Sequence, residues 1–493
     1  MAQRTSSGYQ LLKAFGWFFA ALAMVALLSQ PGASHDEVVF HAPSIWCGRG
    51  VNPPLCSNLV DVGNPTVLEA YTNIGIYPCK VGSDKPLVCP PNQNGRDGTL
   101  ANGGLYPSGF FFLLSWFVVP SVEVSFVLLR MVSALILSVI FFLTMKFVSL
   151  RHRLVLFLLS LSVFPSTGLY LFASINPSSW TAFGVGIGWL AIHASLSGTV
   201  SSWQRRVPLL SLGLISWTLA VVSRKDAVPF VAFTALVAMA LELISRVRTS
   251  RTKAAVLVAT SVVVVVFVAE LVSPLPPIRY LGVLFSFIRD GVGSQSLITE
   301  GLLKAIPNAL AALGNVPTHS SIEIPEVVYL GNLAVLIVIG ARTYNSENKS
   351  QLLGTLTTLI AITLASISQA NLVGNRSTGN EFRYTYPLLL FAAGWWYLNG
   401  PLDLNDKVLK VIRPSAAIVT GCFGLWVYVI AERNVDFQTG GIRVLPEGSD
   451  QWWWSWMPIG PNIVLLLAPF FLWQYFRVMT AVLESSSERA VVI

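Results

Sequence analysis

Charged side chains are scarce in this chain of 493 residues. Asp, Glu, Lys and Arg supply 11% of the residues, whereas hydrophobic residues supply 54%. A soluble protein carries roughly 25% charged residues, so a surface this poor in charge suits contact with lipid. The composition argues against a string of soluble domains and favours a single membrane domain over residues 1–493. The net charge of +8 does not indicate a nucleic-acid partner, because its meaning depends on its distribution across a membrane.

Motifs for nucleotide binding and hydrolysis are also missing. The sequence has no GxxxxGK[S/T] loop, no GxSxG elbow, no HExxH pair and no GxGxxG before a helix. These absences argue against ATP-driven pumps and the familiar hydrolases. A transferase that uses soluble nucleotide sugars is equally disfavoured, because no cytosolic domain is available to hold the nucleotide.

Long apolar runs, by contrast, extend from one end of the chain to the other. A membrane-spanning helix needs about 20 mostly apolar residues. The sequence therefore predicts an all-α integral membrane protein with about 12 transmembrane helices, at Leu11–Leu28, Ser125–Phe147, Leu154–Ile175, Trp180–Leu196, Pro208–Val222, Ala227–Ile244, Ala254–Val272, Val327–Gly340, Leu352–Ile367, Tyr384–Leu398, Ala416–Ile430 and Ile459–Phe476. The shorter apolar segment Tyr106–Pro120 is bounded by proline and suits an interfacial or re-entrant helix.

The basic residues predict the orientation of these spans. With the N-terminus inside and the spans alternating, every short inner connection is basic, as the positive-inside rule requires. We therefore expect a multi-pass protein of the plasma membrane with both termini in the cytoplasm. Residues 30–105, 273–326 and 432–456 then form the larger extracytoplasmic segments. A cleaved signal peptide is the alternative for the first span, but cleavage would leave an odd number of spans.

Four of the five cysteines lie in the first extracytoplasmic loop: Cys47, Cys56, Cys79 and Cys89. An even number of cysteines in an oxidising compartment predicts two disulfide bridges. Three pairings are possible, and proximity along the chain favours Cys47–Cys56 with Cys79–Cys89. Free thiols are a weaker alternative in an oxidising compartment, and a zinc site is weaker because no close CxxC pair is present.

Two adjacent carboxylates, Asp36 and Glu37, follow the first span directly, and His35 and His41 flank them. A carboxylate at this position can act as a general base toward a sugar hydroxyl. Alternatively, the pair can bind a divalent cation, Mg²⁺ or Mn²⁺, that stabilises a departing phosphate. The plainer interpretation is a solvated acidic turn beyond a helix end.

Three groups of basic residues fall on the predicted outer side. Arg130 lies inside an apolar span, where a charge is costly unless it has a partner. Arg224 and Lys225 occupy a short outer turn, and Arg383 precedes Tyr384 at the entry to a later span. Guanidinium groups match the geometry of phosphate oxygens. The plainer interpretations are snorkelling of Arg130, pairing within the turn, and interfacial anchoring.

Several short motifs resemble, in order, those of a bacterial family of polytopic membrane proteins that is common in actinobacteria and looks like a branch of the GT-C glycosyltransferases. The matching residues are Asp36, Glu37 and His41 after the first span, Tyr106-Pro107, Leu129-Arg130-Met131, Asn176-Pro177-Ser178-Ser179 and Phe382-Arg383-Tyr384-Thr385-Tyr386-Pro387. The chain departs from the family pattern at Val38, Ser178 and Phe382, where the family has Pro, Asp and Gly.

The resemblance implies a GT-C-like glycosyltransferase of the cell envelope. Its donor would be a polyprenyl-phosphate sugar in the membrane lipid, and its acceptor would be a cell-wall or other envelope glycan on the extracytoplasmic side. Asp36 would be catalytic, with Glu37 beside it. Substrate binding would fall to His35, His41, Tyr106, Arg130, Asn176, Arg224, Lys225, Arg383 and Tyr384. The alternatives are a transporter or flippase of a lipid-linked saccharide and a non-catalytic assembly factor.

Thiol labelling tests the predicted topology and the disulfides together. We expect a membrane-impermeant maleimide to label the first-loop cysteines in intact cells only after reduction. A Lys349→Cys variant should be labelled at position 349 only after the cells are opened, because that position lies on the basic side. Labelling of position 349 in intact cells would contradict the topology, and four thiols reactive without reduction would contradict the bridges.

Overall fold

The computed structural model of the chain describes residues 2–28, 45, 108–119, 122–164, 168–197, 200, 202–224, 227–246, 326–348, 350–359, 362, 382–401, 456–458 and 461–491. Within these residues the regular secondary structure is all helical, and there is no β-strand. The helices are α1 Ala2–Leu28, α2 Ser108–Ser115, α3 Val122–Phe147, α4 Leu150–Ser162, α5 Leu169–Phe172, α6 Pro177–Leu196, α7 Trp203–Ser223, α8 Ala227–Arg246, α9 Glu326–Arg342, α10 350–359, α11 Phe382–Asn399 and α12 Pro461–Val491.

Four of these helices are long and apolar enough to cross a membrane on their own: Gly8–Leu28 in α1, Val124–Phe147 in α3, Trp203–Ser223 in α7 and Leu466–Ser485 in α12. The prediction of an all-α protein with apolar spans is therefore confirmed for the described residues. The predicted spans Ala254–Val272 and Ala416–Ile430 lie outside them, as do the four loop cysteines. The count of about 12 transmembrane helices stays a prediction.

The predicted span Leu154–Ile175 is wrong as one continuous helix. Helix α4 ends at Ser162, and α5 begins at Leu169. Pro165 lies between them in the sequence and has no N–H to donate to the carbonyl four residues earlier. The Val163 carbonyl, directly after α4, accepts a hydrogen bond of 2.8 Å from the buried Tyr386 hydroxyl of α11. A side chain of α11 thus donates to the backbone where α4 ends.

Helix α6 lies at the centre of the described bundle and is buried along nearly its whole length. It packs most extensively against α7 and then against α11. Glycines allow the close approach to α7, because a Cβ at Gly184 would overlap the carbonyl oxygen of Ser216. On α7, a Cβ at Gly213 would likewise overlap the Ile192 side chain. Backbones in this pair meet without intervening side chains, as is common between helices in membranes.

A second layer is formed by α1, α3 and α12. Phe18 of α1 stacks on Phe141 of α3, with 5.5 Å between ring centroids, and also contacts Tyr475 of α12 at 5.0 Å. The Tyr475 hydroxyl donates to Ser160 Oγ of α4 at 3.0 Å. Aromatic pairs of this kind prefer stacked or edge-on contacts at such separations. This layer is therefore joined to α4 by both packing and a buried hydrogen bond.

The helices run in alternating directions, so the bundle has two chemically different ends. The first end contains the end of α1, the start of α3, the start of α6 and the end of α7, as shown by contacts between Arg130 and Ala26 and between Arg224 and Ser178. The second end contains the start of α4 and the ends of α6 and α11, where His152 meets His193 and Arg151 meets Leu398.

Replacing Gly184 with alanine tests the close contact between α6 and α7. Because the added methyl would overlap the Ser216 carbonyl oxygen, we expect Gly184→Ala to destabilise the protein by about 1–3 kcal/mol. Gly16→Ala is the matched control in α1, since nothing lies within 4 Å of its added Cβ. Thermal unfolding in one detergent measures both. Equal midpoints for the two variants would contradict the packing.

Candidate functional site at the first end of the bundle

Arg130 is fully buried in α3, and its side chain contacts the end of α1. Its Nη1 donates to the Ala26 carbonyl oxygen at 3.0 Å. That carbonyl belongs to the last turn of α1, where no later helical N–H is available to it. The guanidinium also lies over the Phe126 ring, 5.9 Å from its centroid. The positive charge thus meets the partial negative charge of a helix C-terminus.

Arg224 is the second buried arginine of this end, with 2% of its surface exposed. It follows the last residue of α7, and its backbone N–H donates to the Ala220 carbonyl. The Arg224 Nη1 donates to the Ser178 hydroxyl oxygen at 2.8 Å. The side chain therefore turns back into the bundle, toward the start of α6. The sequence predicted a basic residue on a short outer turn and did not indicate that its side chain is buried.

Asn176 begins α6 as its N-cap. The Asn176 side-chain oxygen accepts a hydrogen bond from the Ser178 backbone N–H at 2.9 Å, and Pro177 occupies the first helical position. The Ser179 hydroxyl donates to the Asn176 carbonyl at 2.6 Å. Asparagine at the cap followed by proline is a common way to start a helix. The Asn-Pro pair is thus a helix start, and the partial positive charge of that start faces the same region as Arg224.

Two hydrogen bonds join these elements into one layer. The Trp180 indole N–H donates to the Ser133 hydroxyl at 2.9 Å, and Ser133 lies one turn after Arg130 on α3. The Thr181 and Ser223 hydroxyls are 3.0 Å apart and link the same turn of α6 to the end of α7. Phe110 of α2 packs edge-on against Trp180, at 4.8 Å between centroids. Arg130 and Arg224 therefore belong to the same end of the bundle.

The other predicted site residues stand as follows. Arg383 and Tyr384 lie in the first turn of α11, and their side chains are outside the description. Outside the described residues altogether are His35, Asp36, Glu37, His41, Tyr106 and Lys225. In the described part of the chain no group of three or more His, Cys, Asp and Glu residues could hold a metal ion. The predicted cation site at Asp36 and Glu37 stays a prediction.

Sequence reasoning missed Ser178 as the partner of Arg224 and the Ala26 carbonyl as a partner of Arg130. Ser178 was noted only as a departure from a family pattern. One signal was available, because Asn followed by Pro predicts a helix start and places Ser178 in its first turn. The contact with Arg224, 46 residues later, depends on the packing of α6 against α7 and leaves no local trace in the sequence.

An all-helical bundle with four apolar candidate spans and a buried polar layer at one end defines the class: the chain is a membrane protein. Residues 106–293 match a protein family that is described as a predicted membrane protein, DUF2142. The match covers less than half of the chain, and it includes Arg130, Asn176 and Arg224. No curated protein and no solved structure matches the chain.

Substitutions at position 178 test the partner of Arg224. Ser178→Ala removes an acceptor from a buried guanidinium, so we expect a loss of about 1.5–3 kcal/mol in unfolding free energy. Ser178→Asp should restore or exceed the original stability, because a carboxylate makes a stronger hydrogen bond with arginine. Ser211→Ala, at an exposed serine of α7, is the control. If Ser178→Ala and Ser211→Ala have the same thermal unfolding midpoint, that result would contradict the contact between Ser178 and Arg224.

Proposed function

We propose that the protein is a GT-C-like glycosyltransferase that moves a sugar from a polyprenyl-phosphate donor to a cell-envelope acceptor. The observation that supports the proposal is the location of two buried arginines, Arg130 and Arg224, at one end of the bundle. The proposal also takes this end as the extracytoplasmic side of a multi-pass protein with cytoplasmic termini. The four apolar candidate spans and the match to a membrane-protein family are consistent with it.

A lipid donor explains why positive charge would be buried at the edge of an apolar bundle. The polyprenyl tail stays among lipids, while its phosphate needs strong donors at the level where the helices end. Arginine binds phosphate oxygens through short, directional, charge-assisted hydrogen bonds. Arg130 and Arg224 provide this chemistry. The start of α6, which lies between them in the sequence, adds a partial positive charge. Lys225, Arg383 and Tyr384 would extend it, together with Tyr106.

The proposed catalytic residue lies within reach of this end. Asp36 follows Leu28, the last residue of α1, by eight residues. A fully extended chain of eight residues spans at most about 28 Å. The last turn of α1 contacts Arg130, and the segment with His35, Asp36, Glu37 and His41 follows that turn in the sequence. Chain length therefore permits a shared site.

In the proposed reaction, a hydroxyl oxygen of the acceptor attacks the anomeric carbon of the donor sugar. Asp36 accepts the hydroxyl proton as general base. The bond between the anomeric carbon and the phosphate oxygen breaks, and polyprenyl phosphate leaves with the electron pair. Arginine donors offset the charge that develops on the departing phosphate. A divalent cation, Mg²⁺ or Mn²⁺, bound through Asp36 and Glu37 would add to that stabilisation.

One observation favours a second candidate, a transporter or flippase of a lipid-linked saccharide. The interruption between α4 and α5 is of the kind that transporters use, since they bind substrates at discontinuous helices near the membrane centre. Here the Val163 carbonyl accepts a hydrogen bond from Tyr386. The break is thus tied to another helix, which favours a structural role and leaves the enzyme as the leading proposal.

Replacing Asp36 tests the enzyme. In proteoliposomes with polyprenyl-phosphate sugars and short glycan acceptors, Asp36→Asn should lower the transfer rate by about two to four orders of magnitude. The amide keeps the shape of the carboxylate but does not accept a proton as a base, so donor binding should persist. Arg224→Gln should weaken donor binding instead. Glu347→Gln, at an exposed residue after α9, is the matched control.

Two outcomes would contradict the proposal. Wild-type transfer by Asp36→Asn would exclude Asp36 as the base. Movement of the labelled donor across the bilayer without any sugar transfer would favour the transporter.

A further inference from the structure

We propose that the outer surface of the seam between α1 and α12 binds an anionic phospholipid, whose phosphate lies between Lys13 of α1 and Arg477 of α12 at the second end of the bundle. Both side chains are exposed. The seam lies away from the buried arginines of the first end, and its lipid is independent of the proposed reaction.

Aromatic contacts define the seam. Trp17 of α1 stacks on Phe471 of α12, with 5.5 Å between ring centroids, and meets Phe470 edge-on at 6.2 Å. Lys13 lies one turn before Trp17 on the same side of α1, because residues four apart are neighbours on a helix surface. Arg477 lies two turns after Phe470 on the same side of α12. Each cation thus extends a row of side chains that begins in the seam.

Both rows lead to the second end of the bundle. Lys13 lies about three turns before the last turn of α1, which is at the first end. On α12, Tyr475 contacts Ser160 of α4, and the next residue, Phe476, contacts Phe157. Successive residues of α12 therefore approach the start of α4, which belongs to the second end.

The two cations lie at a similar depth. Measured along each helix from the Trp17 contact, Lys13 is about 6 Å and Arg477 about 10 Å nearer the second end. Packed helices are about 8–10 Å apart, and both side chains are long, so their charged groups can meet at one phosphate. Lysine contributes a compact charge, and arginine contributes a planar set of donors that matches phosphate oxygens.

An apolar row precedes Arg477 on the exposed side of α12. Ile463, Leu466 and Phe470 are 50%, 73% and 44% exposed, and Trp473 follows them at the same helical spacing. The Arg477 guanidinium carbon lies 5.9 Å from the centroid of the Trp473 ring. Tryptophan is enriched where apolar membrane meets water. The order of apolar side chains, tryptophan and cation therefore matches the order of acyl chain, glycerol and phosphate in a phospholipid.

Gly16 leaves room for the lipid on the side of α1. It is exposed, it lies one turn from Lys13 and next to Trp17 in the sequence, and nothing lies within 4 Å of an added Cβ. A large side chain at this position would cover the surface beside Trp17. The glycine thus keeps that surface open to an acyl chain.

The charges favour an anionic lipid over a zwitterionic one. Lys146, in the last turn of α3, adds an exposed cation at the same end, and α3 packs against α1. Among the described residues of α12, the carboxylate nearest to Arg477 along the helix is Glu484, about 10 Å further on. Cations at a membrane surface attract anionic lipids, and basic pockets between helices on the cytoplasmic side bind anionic head groups. The second end is the predicted cytoplasmic side.

Lipid titration of the delipidated full-length protein in detergent, followed by native mass spectrometry, tests the site. We expect phosphatidylglycerol to bind more tightly than phosphatidylcholine. Lys13→Gln and Arg477→Gln should each weaken phosphatidylglycerol binding by about fivefold, and the double variant by about 25-fold, because each cation at the surface contributes a similar attraction. Arg205→Gln, at an exposed arginine in the first turn of α7, is the matched control at the same end and should bind like the wild type.

Two results of this titration would overturn the proposal. Wild-type affinity in the double variant would show that the phosphate binds elsewhere. An equal loss of affinity in Arg205→Gln would show that phosphatidylglycerol follows the overall charge of the second end and does not select the seam.

Gly16→Leu tests the place of the acyl chain with every charge retained. We expect it to lower the affinity for phosphatidylglycerol, because the leucine covers the surface beside Trp17, and unchanged affinity would contradict the seam as the binding surface. Inorganic phosphate should displace no more lipid than chloride does at the same ionic strength. Displacement by phosphate alone would indicate a simple anion site and would likewise overturn the proposal.

Discussion

The fold depends on how guanidinium groups near the helix ends find oxygen atoms in a chain with few carboxylates. Four arginines solve this problem by donating to backbone carbonyls: Arg130 to Ala26, Arg151 to Leu398 and Gly400, Arg153 to Met145, and Arg206 to Val200. Most of these carbonyls lie at the ends of helices, where the backbone has unused acceptors and a partial negative charge. The contacts of Arg130, Arg151 and Arg153 fix one helix end against another. Arg224 differs in that it donates to a side-chain oxygen, the Ser178 hydroxyl, at the end of the bundle where function is proposed.

Packing between α6 and α7 positions Arg224. The glycines of these helices let the two backbones approach until side chains such as Thr181 and Ser223 meet directly. Arg224 then lies beside the first turn of α6, with Asn176 fixing where that turn starts. At the other end of α6, the same rigid helix presents His193 to α4. One buried helix thus takes part in polar contacts at both ends of the bundle.

The sequence predicted most of the described helices because length and apolar composition act locally. Helix α3 spans Val122–Phe147 where Ser125–Phe147 was expected, and α8 spans Ala227–Arg246 where Ala227–Ile244 was expected. The prediction failed at Leu154–Ile175, since hydropathy does not register the missing N–H of Pro165. It also stopped short on α12, which continues to Val491, because Val478, Met479, Val482 and Leu483 extend its buried apolar face beyond Arg477.

The candidate site was predicted only in part, because its contacts join distant segments. A charge inside an apolar run marked Arg130, and a basic turn marked Arg224, from local composition alone. Neither pattern reveals that their partners are a carbonyl 104 residues earlier and a hydroxyl 46 residues earlier. Those partners are determined by helix packing. The position of Asp36 relative to both arginines stays a prediction.

The burial of α6 has a consequence for how the protein is made. Although α6 has 20 residues, it is not among the four helices that are apolar enough to cross a membrane alone. Its serines, threonine and glycines are tolerated because neighbouring helices surround it in the finished bundle. During synthesis, however, α6 emerges before α7, which will cover its glycine-lined face. A segment of this kind gains little by entering lipid unaccompanied, so its insertion depends on the helices that emerge just before and after it.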